Sequence, residues 1–293
     1  MNDLPNPSKR KSWLDHLSGM PPSILISAIW IVFMILVAVL ADVIAPYDYK
    51  HMDLLDRLRP PIWLENGTWS HPLGTDDLGR DVLSRIIFSI RISLFVALMG
   101  TFIGAVLGTS LGFAAAHFRG RVDDLIMVLI DFQAALPFLI LALAVLAFFE
   151  NSFLLFVLIM GIYGWERYAR IVRGLALSAR SHGYAVSMQV LGATPARIYL
   201  RHILPNVSSA IIVNMTLNFP ETILVETSLS FLGLGIQPPL TSLGNMVGFG
   251  RDYLLTAWWI VVLPSMVIFV TSLAFSLLGD WLRDELDPTL RGN

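Results

Sequence analysis

Residues 90–116 read IRISLFVALMGTFIGAVLGTSLGFAAA, an apolar stretch long enough to cross a bilayer as a helix. A glycine stands at every fourth position within it, at Gly100, Gly104, Gly108 and Gly112. In a helix these four residues lie along one stripe, where the missing side chains let a second backbone approach closely. Glycine is also common in membrane helices without such a stripe. The regular spacing favours helix packing in a bundle, but it indicates nothing about function.

The composition around this stretch is that of a membrane protein. Of the 293 residues, 55% are hydrophobic and 14% are charged, whereas soluble chains carry about 25% charged residues. Five further apolar runs have about the length that a bilayer crossing needs; they are residues 24–45, 125–149, 153–169, 207–229 and 258–278. We therefore predict an all-α polytopic membrane protein with six transmembrane helices, the first of them retained rather than cleaved as a signal peptide. Most of the 20 Lys and Arg residues then lie on the side of the N-terminus, so both termini are predicted to be cytoplasmic.

The composition also excludes several classes of function. The chain has no cysteine, which excludes disulfides, thiol nucleophiles and thiolate metal sites. Its six histidines form no metal-like cluster in the sequence, and its net charge of −2 offers no general basic surface for nucleic acid. We predict no metal site, no cofactor bound by this chain and no nucleic-acid partner.

Polar residues interrupt the run at 207–229. Asn214, Asn218 and Glu221 are spaced i, i+4 and i+7 and share one face of a helix, and Glu226 follows in the same run. Carboxylates at membrane depth are costly and normally face a water-filled cavity or a partner. These four residues are therefore candidates for the lining of a translocation path. The alternative is that they form hydrogen bonds between helices and hold the bundle together.

The segment 183–206 reads GYAVSMQVLGATPARIYLRHILPN and is predicted to lie on the cytoplasmic side. Residues 184–191 are predicted to form a short helix. Gly192 suits the left-handed position after a helix end, and Pro195 suits the first position of a second helix. A rigid corner of this kind is suited to docking a partner, whereas the alternative is an amphipathic hairpin on the membrane surface. The candidate docking residues are Tyr184, Met188, Leu191, Gly192, Ala193 and Pro195.

This corner and several other stretches resemble the permease subunits of bacterial ABC importers for dipeptides, oligopeptides and nickel. The chain is most similar to their C-type permease, which has a long first external loop. The matching stretches are 71–85 (HPLGTDDLGRDVLSR), 169–174 (ARIVRG), 191–193 (LGA), 201–206 (RHILPN), 228–235 (SLSFLGLG), 237–239 (QPP), 244–246 (GNM), 251–254 (RDYL), 278–280 (LGD) and 282–288 (LRDELDP). The resemblance covers nearly everything from about residue 20 to 290.

The resemblance implies a type I ABC importer permease fold in the bacterial inner membrane. Its implied partners are a second, related permease, two cytoplasmic ATPases that bind ATP and Mg, an external solute-binding protein and the lipid bilayer. The chain has no phosphate-binding G-x-x-x-x-G-K-[ST] motif, and no lysine follows Lys50. We therefore predict a transport subunit and no enzyme, with ATP hydrolysis by the partners. Peptides are the expected solute, and nickel or another small solute is the alternative.

The same comparison suggests how the chain is divided. The predicted segments are a cytoplasmic tail (1–22), a first transmembrane helix with a long external loop (23–89), a permease core (90–283) with a coupling loop at about 170–205, and a cytoplasmic tail (284–293). The family's inner loop typically carries Tyr-x-Glu-Ala-Ala-x-x-x-Gly. This sequence keeps Tyr184 and Gly192 but has Val186, Ser187 and Met188 in place of Glu-Ala-Ala. Docking at the coupling loop is therefore expected to rest on apolar contact.

Two other classes of function are weighed against the permease. An ion-coupled secondary transporter would use Asp131, Glu221 or Glu226 as its ion site, but no internal repeat pair is detectable. An intramembrane serine hydrolase would use Ser110 near His117, but the chain has no Gly-x-Ser-x-Gly motif and no third group to orient the histidine.

Overall fold

The computed structural model describes residues 20–149, 152–181 and 194–286, and helices make up the regular secondary structure of this part of the chain. Its helices are α1 (Pro22–Val39), α2 (Ala41–Ile44), α3 (Val82–Phe118), α4 (Gly120–Ala135), α5 (Phe138–Phe148), α6 (Phe153–Ile162), α7 (Trp165–Ser181), α8 (Pro195–Ile198), α9 (Leu204–Phe231), α10 (Leu243–Gly250) and α11 (Trp259–Leu286). Single 3-10 turns lie at Leu54–Asp56 and Arg251–Tyr253, and a π-helical turn at Tyr199–Ile203 joins α8 to α9. The predicted all-α fold class is thus confirmed for the described residues.

Several helices are long and apolar enough to cross a membrane. Among the described residues, α1, α3 and α11 meet this condition by length and composition, which gives three spans, or four if the bent pair α4 and α5 is one span. The helix α9 has 28 residues but carries the polar residues noted above. The count of six spans therefore stays a prediction.

Two of the predicted apolar runs are each divided into two helices. The helices α4 and α5 meet at a bend of 90°. Leu136 has extended backbone angles there (φ −90°, ψ 133°), because a residue that precedes a proline is pushed out of the helical region and Pro137 follows. The helices α6 and α7 are separated at Tyr163 and Gly164, where Gly164 has a φ of +79° that favours glycine. The runs 125–149 and 153–169 are thus not continuous helices.

The long loop between α2 and α3, predicted to be external, is folded onto the helices that follow it. The buried carboxylate of Asp76 accepts hydrogen bonds from the backbone N–H groups of Leu78 and Arg80, both at 2.9 Å, and forms ion pairs with Arg80 and Arg85. Trp259 at the start of α11 donates its indole N–H to the carbonyl of Thr75 at 3.1 Å. The segment before α3 therefore joins the first turns of α3 and α11.

The helix α3 begins before the predicted run because its N-terminus is capped. Asp81 accepts a hydrogen bond from the backbone N–H of Ser84 at 2.8 Å, which satisfies one of the free donors of the first turn. The helix then continues for 37 residues through the whole apolar run.

The glycine stripe of α3 faces α6 and α7. A methyl group added at Gly108 would lie 2.2 Å from the carbonyl oxygen of Trp165, and one at Gly112 would lie 2.7 Å from that of Ala169. At Gly104 the nearest atoms would be carbonyl oxygens at 3.2 Å. The helices therefore pack backbone against backbone, and this contact fixes the position of α7 in the bundle.

Candidate functional site

Of the four polar residues of α9, two line clefts and two are buried. Asn214 lines a cleft of about 360 Å³ that includes Arg283 of α11, and Glu221 lines a larger cleft of about 730 Å³ between α9 and α11. Leu217 lines both clefts, so the two are adjacent along α9. Asn218 and Glu226 are buried instead, with 3% and 1% of their surfaces exposed.

Asn218 packs against the break between α6 and α7. A methyl group at Gly164 would lie 2.9 Å from both the Nδ2 and the Oδ1 atoms of Asn218. Nearby, Tyr168 of α7 donates its hydroxyl hydrogen bond to the backbone carbonyl of Asn214 at 3.3 Å. This face of α9 therefore packs against α7.

Glu226 ties α9 to the external segment that leads into α10. Its Oε1 atom accepts hydrogen bonds from the hydroxyls of Ser230, at 2.9 Å, and Ser242, at 2.7 Å. Ser242 also caps α10, because its hydroxyl accepts a bond from the backbone N–H of Asn245 at 3.1 Å. In this conformation Glu226 is an internal anchor and does not line an open cleft.

Glu221 is the charged group of the larger cleft. Arg167 of α7 donates to its Oε2 atom at 2.6 Å, and the hydroxyl of Tyr163 donates to the same atom at 3.2 Å. Half of the Arg167 side chain and 42% of the Glu221 side chain are exposed. Glu221 therefore lines the cleft, and its partners lie on α7 and just after the end of α6.

Arg167 is the first of three arginines on α7 that form ion pairs with neighbouring helices. Arg170 pairs with Asp131 of α4 at 3.1 Å. Arg173 binds both carboxylate oxygens of Asp123, also on α4, at 2.5 and 2.6 Å. Two of the carboxylates that the sequence offered as ion sites, Asp131 and Glu221, therefore each have an arginine partner.

Sequence reasoning missed these pairs because it counted the arginines of α7 only as markers of the cytoplasmic side. The signal was present in the spacing Arg-x-x-Arg-x-x-Arg from residue 167 to 173. Residues three apart are neighbours on a helix surface, so such a series indicates a helix that pairs with acidic residues beside it.

The coupling corner is described only at its C-terminal end. Tyr184, Met188, Leu191, Gly192 and Ala193 lie outside the described residues. The helix α8 begins at Pro195, and the backbone N–H of Ile198 donates to the carbonyl of Thr194 at 3.1 Å. Beyond it, the ring of Tyr199 contacts Phe113 of α3 at a centroid distance of 5.2 Å. The end of the corner is thus in contact with the C-terminal part of α3.

The serine hydrolase alternative has no geometric support. The hydroxyl of Ser110 donates to the carbonyl of Val106 in its own helix at 2.7 Å. Among the described residues, no group of three or more His, Cys, Asp and Glu side chains could hold a metal ion.

A helical bundle with several membrane-length helices, and with an ion pair facing a cleft between them, defines a polytopic membrane transport protein. Comparison with known proteins gives the family. The chain belongs to the binding-protein-dependent transport system inner membrane components, whose family model matches residues 100–292. A second model, the N-terminal transmembrane domain of oligopeptide transport permease C, matches residues 22–61. The chain is therefore a multi-pass inner-membrane permease subunit, and this membership rejects the secondary-transporter and hydrolase alternatives.

The curated relatives match over most of their length. The chain is 38% identical over 267 residues to the dipeptide transport system permease protein DppC of Haemophilus influenzae, covering 91% of this chain and 90% of the relative. It is 39% identical to the di/tripeptide transport system permease protein DppC of Pseudomonas aeruginosa, covering 89% and 87%. The oligopeptide transport system permease protein OppC of Bacillus subtilis is 36% identical, covering 91% and 86%.

The fold also matches a solved structure. The inward-facing MetNI methionine ABC transporter aligns with a TM-score of 0.51 at 16% identity, covering 68% of this chain and 96% of the matched chain. The predicted permease fold is confirmed by this match together with the family model.

Proposed function

We propose that this chain is one of two permeases in an ATP-driven importer of di- and oligopeptides. It pairs with a second, related six-helix permease, and the two form the solute path across the inner membrane. An external binding protein delivers the peptide, and two cytoplasmic ATPases with bound ATP and Mg drive the cycle. Both termini of this chain are cytoplasmic.

The observation that carries the proposal is the similarity to permeases named for peptides. Relatives named for dipeptides, di/tripeptides and oligopeptides are 36–39% identical to this chain over about nine tenths of its length. Similarity of this extent includes the helices that border the clefts as well as the external loop. It favours peptides over nickel as the solute.

The surface around the larger cleft supports pairing with a second permease. Large apolar side chains border it, namely Leu224 of α9 and Phe269 and Leu273 of α11, which are 52%, 61% and 46% exposed. Apolar side chains beside an exposed ion pair suit a lining that is closed by a partner protein better than a surface in contact with lipid. The path therefore runs between this face and the second permease.

We expect peptide uptake only when the chain is assembled with its partners. Purification through a tag on this chain should retain two different permeases and two ATPase subunits. In proteoliposomes, this complex should import dialanine with external binding protein and internal ATP, and a variant ATPase that cannot hydrolyse ATP should abolish uptake. A homodimer of this chain that imports peptide, or uptake that needs a proton gradient and no ATP, would contradict the proposal. If the complex imported nickel and no peptide, its solute would be nickel, the alternative, and not a peptide.

Cysteine labelling tests which residues of α9 face the path. Because the chain has no native cysteine, each variant offers one thiol. We expect Asn214→Cys and Glu221→Cys to react with a water-soluble thiol reagent, at rates that change when ATP is added. Asn218→Cys and Glu226→Cys are the matched controls on the same helix, and they should react at least about tenfold more slowly because both positions are buried. Equal rates at all four positions would place the path elsewhere.

A further inference from the structure

The ion pair between Arg167 and Glu221 is placed where a purely structural pair is unfavourable. Glu221 lies about 26 Å from the start of α9 at Leu204 and about 15 Å from its end at Phe231, at about 1.5 Å per residue. Charged groups within a bilayer are stable when they face water or a polar partner. The Arg167 and Glu221 side chains are 50% and 42% exposed in this chain, so their free surfaces need water or a polar partner.

The cleft has the size and lining of a small-molecule site. Its volume is about 730 Å³, within the range of about 300–1,000 Å³ that is usual for ligand pockets. Its walls are mainly apolar, with Pro220 and Leu224 on α9 and Phe269 on α11, and the hydroxyls of α11 serines add a few polar contacts. Glu221 is a carboxylate in this lining, and Arg167 forms an ion pair with it.

Another pair on α7 provides a comparison. Arg170 and Asp131 are equally exposed, at 55% and 69%, and their separation is 3.1 Å. Neither residue lines the cleft between α9 and α11. Both pairs join an arginine of α7 to a carboxylate on a neighbouring helix, but only Glu221 among these four residues lines the cleft.

We propose that Arg167 and Glu221, with Tyr163, form a binding site for the two charged termini of a short peptide inside the permease. This inference rests on the proposed function, because it identifies how the same cleft recognises a peptide. The terminal carboxylate of the peptide binds Arg167, and its terminal ammonium binds Glu221. Tyr163 then keeps one hydrogen bond to Glu221 while the arginine moves away.

Such an exchange suits a path that must accept peptides of many sequences. Each residue of an extended peptide spans about 3.4 Å, so the terminal charges lie several ångströms apart, and the long side chain of Arg167 can swing over such a distance. One internal ion pair is replaced by two ion pairs to the solute, so no charge is left without a partner. Binding uses only the termini and competes with the internal pair. It is therefore weak enough for release, as conduction through a membrane path requires.

The test uses a single thiol in the cleft of the assembled complex. Leu224→Cys places this thiol at an exposed lining position three residues after Glu221, and its labelling in this chain is followed by mass spectrometry without binding protein. Free dialanine at about twice its Kd should slow labelling about threefold. N-acetyl-dialanine amide, which lacks both terminal charges, should have no effect at the same concentration.

Variants that remove one charge show which residue binds each terminus of the peptide. On the Leu224→Cys background, Arg167→Gln should remove the difference between free dialanine and its C-terminal amide. Glu221→Gln should remove the difference between free and N-acetylated dialanine, and the control Arg170→Gln should change neither. Equal protection by free and doubly blocked peptide in the parent variant would overturn the inference, and this comparison needs no charge variant to fold. ATP-driven import of dialanine by the unmodified complex would then still support the proposed function, whereas absence of any peptide import would contradict that function itself.

Discussion

Gly108→Ala is expected to destabilise the folded chain by about 2–3 kcal/mol or more, because it forces a methyl group into a backbone contact. The added carbon would lie 2.2 Å from the carbonyl oxygen of Trp165 and 2.7 Å from the Cβ atom of Tyr168. Tyr168 is 1% exposed and cannot move aside within the bundle. Unfolding in mixed detergent micelles, followed by tryptophan fluorescence, measures the loss.

The glycine stripe provides its own graded controls. The nearest atom to an added methyl group is 2.7 Å away at Gly112 and 3.2 Å away at Gly104. The expected order of destabilisation is therefore Gly108→Ala, then Gly112→Ala, then Gly104→Ala. Gly174→Ala on α7 is the matched control, because a methyl group there meets nothing within 4 Å. If Gly108→Ala were as stable as Gly174→Ala, the close contact of α3 with α7 would be wrong.

The sequence predicts those parts of this fold that depend on residues close together in the chain, and it does not predict the parts that depend on residues far apart in the chain. The helical class and the run through α3 follow from local composition and from the period of the apolar residues. The spacing of the glycines predicts that a helix packs against α3, but it does not identify α7, because the partner depends on contacts distant in sequence. The break at Gly164 was missed for the same reason, since it accommodates the Asn218 amide from α9.

The sequence likewise predicts some features of the candidate site and not others. The spacing of Asn214, Asn218 and Glu221 correctly puts them on one helix, yet only the packed bundle shows that Asn218 is buried and the other two line clefts. Arg167 lies on another helix, and the sequence shows its charge without its partner. The structure was therefore needed to show which residues on different helices contact each other, whereas the sequence alone shows which residue types each helix carries.

Gly192→Val is expected to uncouple ATP hydrolysis from transport. The sequence predicts a left-handed backbone at Gly192, where a side chain costs about 1 kcal/mol or more and a β-branched one is strained further. The chain that follows is firmly connected to the membrane helices. Tyr199 packs against Phe113 of α3, and Ile203 is fully buried where the π-helical turn enters α9. If the substitution displaces the corner, the movement that the corner passes on to α9 and α3 should therefore be in the wrong direction.

The measurement compares ATPase activity and peptide uptake in the same proteoliposomes. Uptake by Gly192→Val should fall at least about tenfold, which corresponds to about 1.4 kcal/mol of lost coupling, while ATP hydrolysis continues and the complex still assembles. Gly174→Val is the matched control: it makes the same substitution on the helix that precedes the corner, at a site with open space, and it should keep both activities. Normal uptake together with normal stimulation of the ATPase by binding protein in Gly192→Val would show that the force reaches α9 by another route.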